Sequence, residues 1–325
     1  MTIMKDGQVR HAVGIDFGGT FIKMALVSEK GEVKARTKIS TKEASTQDQW
    51  IDAVGRGLDQ LKAKKGGGTE SIAGIGVGVP GFVDFERGYI YDLANVPGWT
   101  GVLLAPRLEE RFGLRVRVDN DVNAMAVGEC TFGVGHVYQH AVFVTLGTGV
   151  GGALLINNRL YRGAHSMAGE IGHISIRMDG VKSPQGRGGL EQYVGNRRIV
   201  ERAVQLLGQG RKSTMKDLVN GDLTQLTPEV ISQAAKQGDE LAVEVFDFVA
   251  DCLATAFSSV AYLIQPQAII IGGGVAQSGP VLFDPLRRHL KERLSPVFFD
   301  RLEIKTAELG NDAGVIGAAT LAMME

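Results

Sequence analysis

One pattern constrains this chain of 325 residues most, because it occurs twice: an apolar strand, a glycine-rich turn and a second apolar strand. The first copy spans residues 12–27 and the second spans residues 141–156. A third strand is predicted for residues 33–40, so the first copy continues as a β-meander rather than as a βαβ crossover. A repeat of this size, about 130 residues apart, predicts two related α/β lobes that face each other across a cleft.

Charge and composition exclude several classes of protein. The 35 Lys and Arg residues nearly balance the 36 Asp and Glu residues, and the net charge of −1 argues against nucleic acid or an anionic membrane as partner. No apolar stretch approaches the roughly 20 residues of a membrane helix, and the N-terminus lacks an apolar signal core. The chain has only two cysteines, Cys130 and Cys252, so no disulfide framework is implied and a four-cysteine zinc site is impossible. We therefore expect a soluble cytoplasmic protein.

The two glycine turns are candidates for phosphate binding. Glycine accounts for 44 of the 325 residues, and a turn without side chains lets backbone N–H groups approach phosphate oxygens. Each turn also carries a threonine, Thr20 or Thr148, although neither has the spacing of a Walker A loop. Tight hairpin turns are the alternative. Asp16 either holds Mg²⁺ or caps its loop, and Lys23 faces either phosphate or solvent.

A second candidate site follows the predicted strand 114–118, which ends in Asp119-Asn120-Asp121 before a helix that begins at about residue 122. In that position Asp121 suits a general base for a hydroxyl group, and it equally suits a helix N-cap. Glu170 and His173 would share one face of a helical turn and could bind neighbouring sugar hydroxyls. His173 could instead be a buried structural residue or a metal ligand.

Motifs along nearly the whole chain resemble the ROK family of bacterial sugar kinases and repressors, within the hexokinase–actin superfamily. The motifs that carry the resemblance are Asp16-Phe-Gly-Gly-Thr20, Val79-Pro-Gly81, Asn120-Asp-Val-Asn123, Leu146-Gly-Thr-Gly149, Ala168-Gly-Glu-Ile-Gly-His173, Gly272-Gly-Gly-Val275 and Gly314-Val-Ile-Gly-Ala-Ala319. The resemblance implies the two-lobed actin-like ATPase (ribonuclease H-like) α/β fold with a central cleft. We expect a small lobe of residues 1–123 and 311–325 and a large lobe of residues 124–310.

The resemblance also implies ATP-dependent phosphorylation of the 6-hydroxyl of a hexose, with glucose as the first choice. Asp121 would be the base, and the residues implied to line the sugar are Gly81, Asn120, Asp121, Glu170, His173 and Glu191. The residues expected to bind the nucleotide and its Mg²⁺ are Asp16, Gly18, Gly19, Thr20, Lys23, Thr148, Gly149, Gly273 and Gly274. A homodimer is expected from the resemblance alone.

The sequence departs from the family pattern in one segment. Most ROK members carry three cysteines after the histidine, and these hold a structural zinc together with it. Here the corresponding residues, Ser183-Pro-Gln-Gly-Arg-Gly-Gly-Leu-Glu191, include no cysteine. We therefore predict no zinc, and we expect the placement of Glu191 to depend on Gly188, Gly189 and local packing.

Several alternatives remain open. N-acetylmannosamine, N-acetylglucosamine, fructose and mannose are alternative substrates, and polyphosphate is an alternative donor because polyphosphate glucokinases also lack the cysteines. A non-catalytic sugar sensor is a more distant possibility. A repressor of the same family is not expected, since the phosphate motif at Asp16 leaves no room before it for a helix-turn-helix domain.

Overall fold

Strands and helices alternate irregularly in the first part of the chain. The computed structural model describes residues 10–44, 46–64, 72–93, 96 and 98–324. Up to residue 139 its elements are β1 (His11–Phe17), β2 (Phe21–Ser28), β3 (Val33–Ser40), α1 (Gln47–Lys64), β4 (Ile72–Val79), β5 (Gly81–Asp84), β6 (Tyr89–Leu93), β7 (Val102–Leu103), α2 (Leu104–Phe112), β8 (Val116–Asn120) and α3 (Asp121–Phe132).

The remainder of the chain is mainly helical. Its elements are β9 (Ala141–Leu146), β10 (Val150–Ile156), β11 (Arg159–Tyr161), β12 (Lys182–Ser183), β13 (Gly186–Arg187), α4 (Glu191–Val194), α5 (Asn196–Gly208), α6 (Met215–Leu218), α7 (Pro228–Lys236), α8 (Glu240–Ile264), β14 (Ala268–Gly272), α9 (Pro280–Arg293), α10 (Pro296–Phe299), β15 (Glu303–Thr306) and α11 (Ala313–Met323). No helix of the described residues is long and apolar enough to cross a membrane.

The two largest sheets have equivalent strand orders. The first runs β3-β2-β1-β4-β8 and the second β11-β10-β9-β14-β15. In the first sheet, β1, β2 and β3 form an antiparallel meander, and β4 and β8 pair in parallel beyond β1. In the second sheet, β14 pairs in parallel with both β9 and β15. The predicted meander is confirmed, and so is the duplication of strand, glycine turn and strand.

The chain divides into two compact units. The first comprises Met1–Gln139, Ala153–Ala168 and Ala307–Glu325, and the second comprises His140–Gly152 and Gly169–Thr306. These units differ from the predicted lobes, which stay a prediction: the first unit also includes α3 and residues 153–168. Helix α3 packs closely on α11, where a Cβ added to Gly317 would lie 1.7 Å from the Ala124 carbonyl oxygen.

Helix α11 lies directly against the backbone of the first sheet, where glycines of β1 and β4 present no side chains. A Cβ at Gly14 in β1 would lie 1.8 Å from the Val315 carbonyl oxygen, and one at Gly76 in β4 would lie 1.6 Å from that of Ala318. Only glycine permits this approach. The glycines of β1 and β4 therefore hold α11 close to the strands that end at the candidate site.

The opposite face of the first sheet carries large apolar side chains. Phe17, the last residue of β1, packs with Trp50 of α1 and with Trp99, at ring-centroid distances of 5.1 Å each. The two indole rings are 5.4 Å apart in an edge-to-face arrangement. All three side chains are fully buried. This cluster fixes the end of β1 immediately before the first glycine turn.

We predict that Gly76→Ala lowers the free energy of unfolding by about 3 kcal/mol, because the new methyl group meets backbone that cannot move aside. Gly208→Ala at the end of α5 is the control: nothing lies within 4 Å of its Cβ position, and a change within about 0.5 kcal/mol is expected. Urea unfolding of both variants measures the difference. Equal stabilities would contradict the packing of α11 described above.

Candidate functional site

Three strands of the first sheet end at one edge and bring the first group of candidates together. The parallel register places Asp16 of β1 beside Gly78 of β4, and Gly78 beside Asp119 of β8. The first glycine turn, the Pro80-Gly81 turn and Asn120-Asp121 therefore follow neighbouring strand ends. Carboxyl ends of parallel strands are where ligands bind in open α/β sheets.

Asp16 lies where β1 enters the first glycine turn. Its carboxylate accepts a hydrogen bond from Lys23 Nζ at 3.1 Å, and its side chain is 21% exposed. A Cβ on Gly314, near the start of α11, would lie 3.3 Å from Asp16 Cγ. The carboxylate is thus held at a strand end, close to a helix N-terminus, with one side open to solvent.

The turn that follows is anchored at its base. The Gly18 amide donates to the Phe21 carbonyl at 3.0 Å, and Thr41 Oγ1 donates to the Gly18 carbonyl at 2.9 Å. Gly19 and Thr20 form the exposed tip, and nothing lies within 4 Å of the Cβ position of Gly19. Backbone at this tip is accessible to a ligand.

The junction of β8 and α3 separates the two roles that the sequence left open for Asp121. The N-cap of α3 is Asn120, whose Oδ1 accepts hydrogen bonds from the amides of Val122 at 2.8 Å and Asn123 at 3.2 Å. Asn120 Nδ2 donates to the Gly81 carbonyl at 3.2 Å. The N-cap interpretation of Asp121 is therefore wrong. Asp121 is the first residue of the helix, half-buried, and its Oδ1 accepts the Val122 amide at 2.9 Å.

Candidates of the second unit cluster around the start of β10. Glu170 is the N-cap residue of a 3₁₀ turn, Ile171–His173, and 3.7 Å separates Glu170 Oε2 from His173 Nε2. Glu191 begins α4, and its Oε2 accepts the Val150 amide at 2.9 Å. A Cβ on Gly149 would lie 2.4 Å from that oxygen. The second glycine turn therefore contributes to the placement of Glu191, beyond the Gly188, Gly189 and local packing that the sequence predicted for it.

The remaining nucleotide candidates end neighbouring strands of the second sheet. Thr148 is the exposed tip of the turn after β9, and the Gly147 amide donates to the Gly149 carbonyl at 3.0 Å. Gly273 and Gly274 follow β14, whose Gly272 pairs with Thr145 of β9. The structure thus gathers Thr148, Gly149, Gly273 and Gly274 at one sheet edge within the second unit.

Hydrogen bonds stabilise the region around residues 183–191, the segment that lacks the three cysteines. Strands β12 and β13 form a short hairpin, and Arg187 donates to the Gly180 carbonyl at 3.0 Å. The hydroxyl of Tyr193 accepts the Val181 amide at 3.1 Å. These residues offer no thiolate and do not fit a zinc ion. The absence of zinc stays a prediction, which metal analysis of the purified protein tests.

Burial shapes the acid–base properties of several groups. It raises the pKa of Glu170; the nearby His173 opposes this change, and the negative charge of Glu191 adds to it. It also raises the pKa of both thiols, Cys130 and Cys252, to about 12. Both cysteines are therefore protonated at neutral pH and unsuited to nucleophilic or metal-binding roles.

Comparison with known proteins decides the family. The sequence model of the ROK family matches residues 12–325. The chain belongs to the ROK family. A glucokinase of Halalkalibacterium halodurans is 34% identical over 96% of this chain and 94% of its own length. A glucokinase of Streptomyces coelicolor is 35% identical over 95% of this chain and 96% of its own length.

A solved ROK structure agrees with this assignment. The ROK glucokinase of Streptomyces griseus, in complex with glucose and AMPPNP, is 33% identical and covers 96% of this chain and 98% of its own, with a TM-score of 0.81. The predicted family and the predicted actin-like ATPase fold class are confirmed. Arg162, which forms an ion pair with Asp119 of β8, is not among the predicted site residues.

We predict opposite effects of two substitutions on the pKa of Glu170. Glu191→Gln lowers it, because a neighbouring like charge disappears, and His173→Asn raises it, because a neighbouring positive charge is lost. A ¹³C NMR titration of the Glu170 carboxyl group measures both changes against the unsubstituted protein. Identical titrations in all three proteins, or the reverse order, would contradict the cluster around the start of β10.

Proposed function

We propose that this protein is an ATP-dependent hexose kinase that phosphorylates the 6-hydroxyl of glucose. Support comes from the two glucokinase relatives, from the glucose and AMPPNP complex of the Streptomyces griseus enzyme, and from the β8–α3 junction of this chain. That junction is the observation that carries the proposal. Asn120 supplies the helix cap, so the helix does not need the Asp121 carboxylate as its N-cap.

In this proposal Asp121 accepts the proton of the sugar 6-hydroxyl. The hydroxyl oxygen then attacks the γ-phosphorus of ATP, the bond to the β,γ-bridging oxygen breaks, and ADP leaves. General-base catalysis of this kind contributes about 10²–10⁴-fold to the rate. Asn120 and Gly81, joined by their hydrogen bond, would hold the sugar beside the base.

The residues at the two sheet edges fit a nucleotide with its magnesium ion. Asp16 offers a partly exposed carboxylate, a ligand type that Mg²⁺ prefers when phosphates complete its coordination. Lys23 and the backbone of Gly18, Gly19 and Thr20 offer positive charge and donors for phosphate oxygens. Bound Mg²⁺ would neutralise charge on the transferring phosphoryl group.

We propose ligand contacts for residues of the second unit as well. Its phosphate donors would be Thr148 and the amide of Gly149, and Gly273 and Gly274 would lie along the adenosine. Glu170, His173 and Glu191 would accept and donate hydrogen bonds to sugar hydroxyls. An ionised Glu170 is the better acceptor, so its raised pKa would weaken sugar binding as the pH falls toward the acid range.

We also propose a cytoplasmic location for this protein. Two free thiols and the need for ATP favour the cytoplasm. The homodimer implied by the family resemblance stays a prediction, as does a role in glucose catabolism.

We predict that Asp121→Asn lowers kcat by about 10²–10⁴-fold, because the amide cannot accept the proton. The Kd for glucose, measured by calorimetry, is expected to change less than about threefold. Asp59→Asn on the exposed surface of α1 is the matched control and should retain full activity. An Asp121→Asn variant with unchanged turnover would remove Asp121 from the reaction.

A hexose panel in a coupled ADP-release assay tests the activity and the substrate together. Glucose is expected to give the highest kcat/KM with Mg-ATP, ahead of fructose, mannose, N-acetylglucosamine and N-acetylmannosamine. A preference for an N-acetylated sugar would correct the substrate while retaining the kinase. Sugar binding without ADP release would favour a sensor, and polyphosphate replacing ATP would correct the donor.

A further inference from the structure

Asp119, two residues before the proposed base, forms an ion pair with Arg162. Asp119 immediately precedes Asn120 in β8, and its side chain is only 2% exposed. Its Oδ2 accepts two hydrogen bonds from Arg162, from Nε at 3.0 Å and from an Nη at 2.7 Å. Its Oδ1 accepts the Asn120 amide at 2.8 Å and Nδ2 of Asn123 at 2.8 Å. One carboxylate thus joins an arginine to both ends of the turn that contains Asp121.

Arg162 also contacts Phe85 and the backbone of Ala168. It follows β11, and its guanidinium carbon lies 3.7 Å from the centroid of the Phe85 ring, a stacked cation–π contact. Its carbonyl oxygen accepts the Ala168 amide at 2.9 Å, at the beginning of the segment that leads to Glu170. The Arg162 side chain is only 20% exposed. Its position is therefore well defined.

The chemistry explains why this pair matters for Asp121. Two donors on one oxygen fix the orientation of the Asp119 carboxylate, and that orientation aims Oδ1 at Asn120 and Asn123. Without Arg162, an uncompensated negative charge would remain buried two residues from the base, and the local structure would rearrange to hydrate it. A shift of about 1 Å in a reacting group can cost about 10²-fold in rate.

We propose that Arg162 is a positioning residue for phosphoryl transfer: through Asp119 it fixes the turn that carries Asn120 and the base Asp121. It touches no reacting atom. This inference rests on the proposed kinase function, because the consequence of the positioning is catalytic. The positioning itself is a property of the free protein and is measurable without substrate.

The kinetic test compares four variants with the unsubstituted enzyme. Arg162→Met is expected to lower kcat about 100-fold with less than about a threefold change in the KM for ATP. Arg162→Lys retains the charge but not the two-donor contact, and is expected to lose about tenfold. Asp119→Asn/Arg162→Met leaves no buried charge and retains an acceptor for Asn120, so it should recover at least tenfold of the loss in Arg162→Met.

Arg117→Met is the matched control. The Arg117 guanidinium carbon lies 5.8 Å from the same Phe85 ring, and among the described residues Arg117 has no ion pair with Asp119. Its turnover should stay within about twofold of the unsubstituted enzyme. Cooperative thermal unfolding of each variant confirms that it is folded. If Arg162→Met does not fold, Arg162→Lys takes its place in every comparison.

Amide hydrogen exchange provides the readout that does not depend on activity. Exchange of the peptide covering residues 119–124 should be at least about tenfold faster in Arg162→Met than in Arg117→Met, and slower again in the double variant. Unchanged exchange, or a double variant that is no better than Arg162→Met, would overturn the proposal. If the unsubstituted enzyme phosphorylates no hexose, the proposed function fails. Faster exchange would then still support the positioning by Arg162, and unchanged exchange would overturn it.

Discussion

The Asn120 side chain is the interaction on which the candidate site depends. It ends β8, caps α3 with two hydrogen bonds and reaches across to the Gly81 carbonyl. Asp119 and Asp121, on either side of it, therefore take different environments. Asp119 is almost fully buried and pairs with Arg162, whereas Asp121 is half-buried in the first turn of α3. The Asn120 side chain thus separates two aspartates of identical chemistry into a buried ion pair member and a half-buried carboxylate, and the second is the base that we propose.

The glycine content of the chain has the same consequence in both units. In the first, glycines of β1 and β4 let α11 approach the strands, and its start lies beside Asp16. In the second, Gly149 leaves room for the Glu191 carboxylate against the Val150 amide. Close approach of backbone to backbone, or of backbone to a carboxylate, replaces side-chain packing at the edges where the proposed ligands bind.

Much of this arrangement could be predicted from local sequence, because strand, glycine turn and strand leave a strong pattern that occurs twice. The cap could not, since Asp and Asn are equally good N-caps and three such residues stand in a row. The Asp119–Arg162 pair joins residues 43 positions apart without any periodic signal. Strands β5, β6 and β7 were not predicted, because strands of two to five residues carry too little pattern. Helix α2 was also missed: it spans only nine residues and begins without a side-chain cap.

The central claim is that Asp121 is the base for a sugar hydroxyl. A crystal structure of the unsubstituted protein with glucose and a non-hydrolysable ATP analogue tests this claim most directly. The account predicts a carboxylate oxygen of Asp121 within about 3.2 Å of the glucose 6-oxygen, with Asn120 still capping α3. A sugar whose 6-oxygen contacts a different carboxylate, with Asp121 beyond hydrogen-bonding reach of every sugar oxygen, would contradict it.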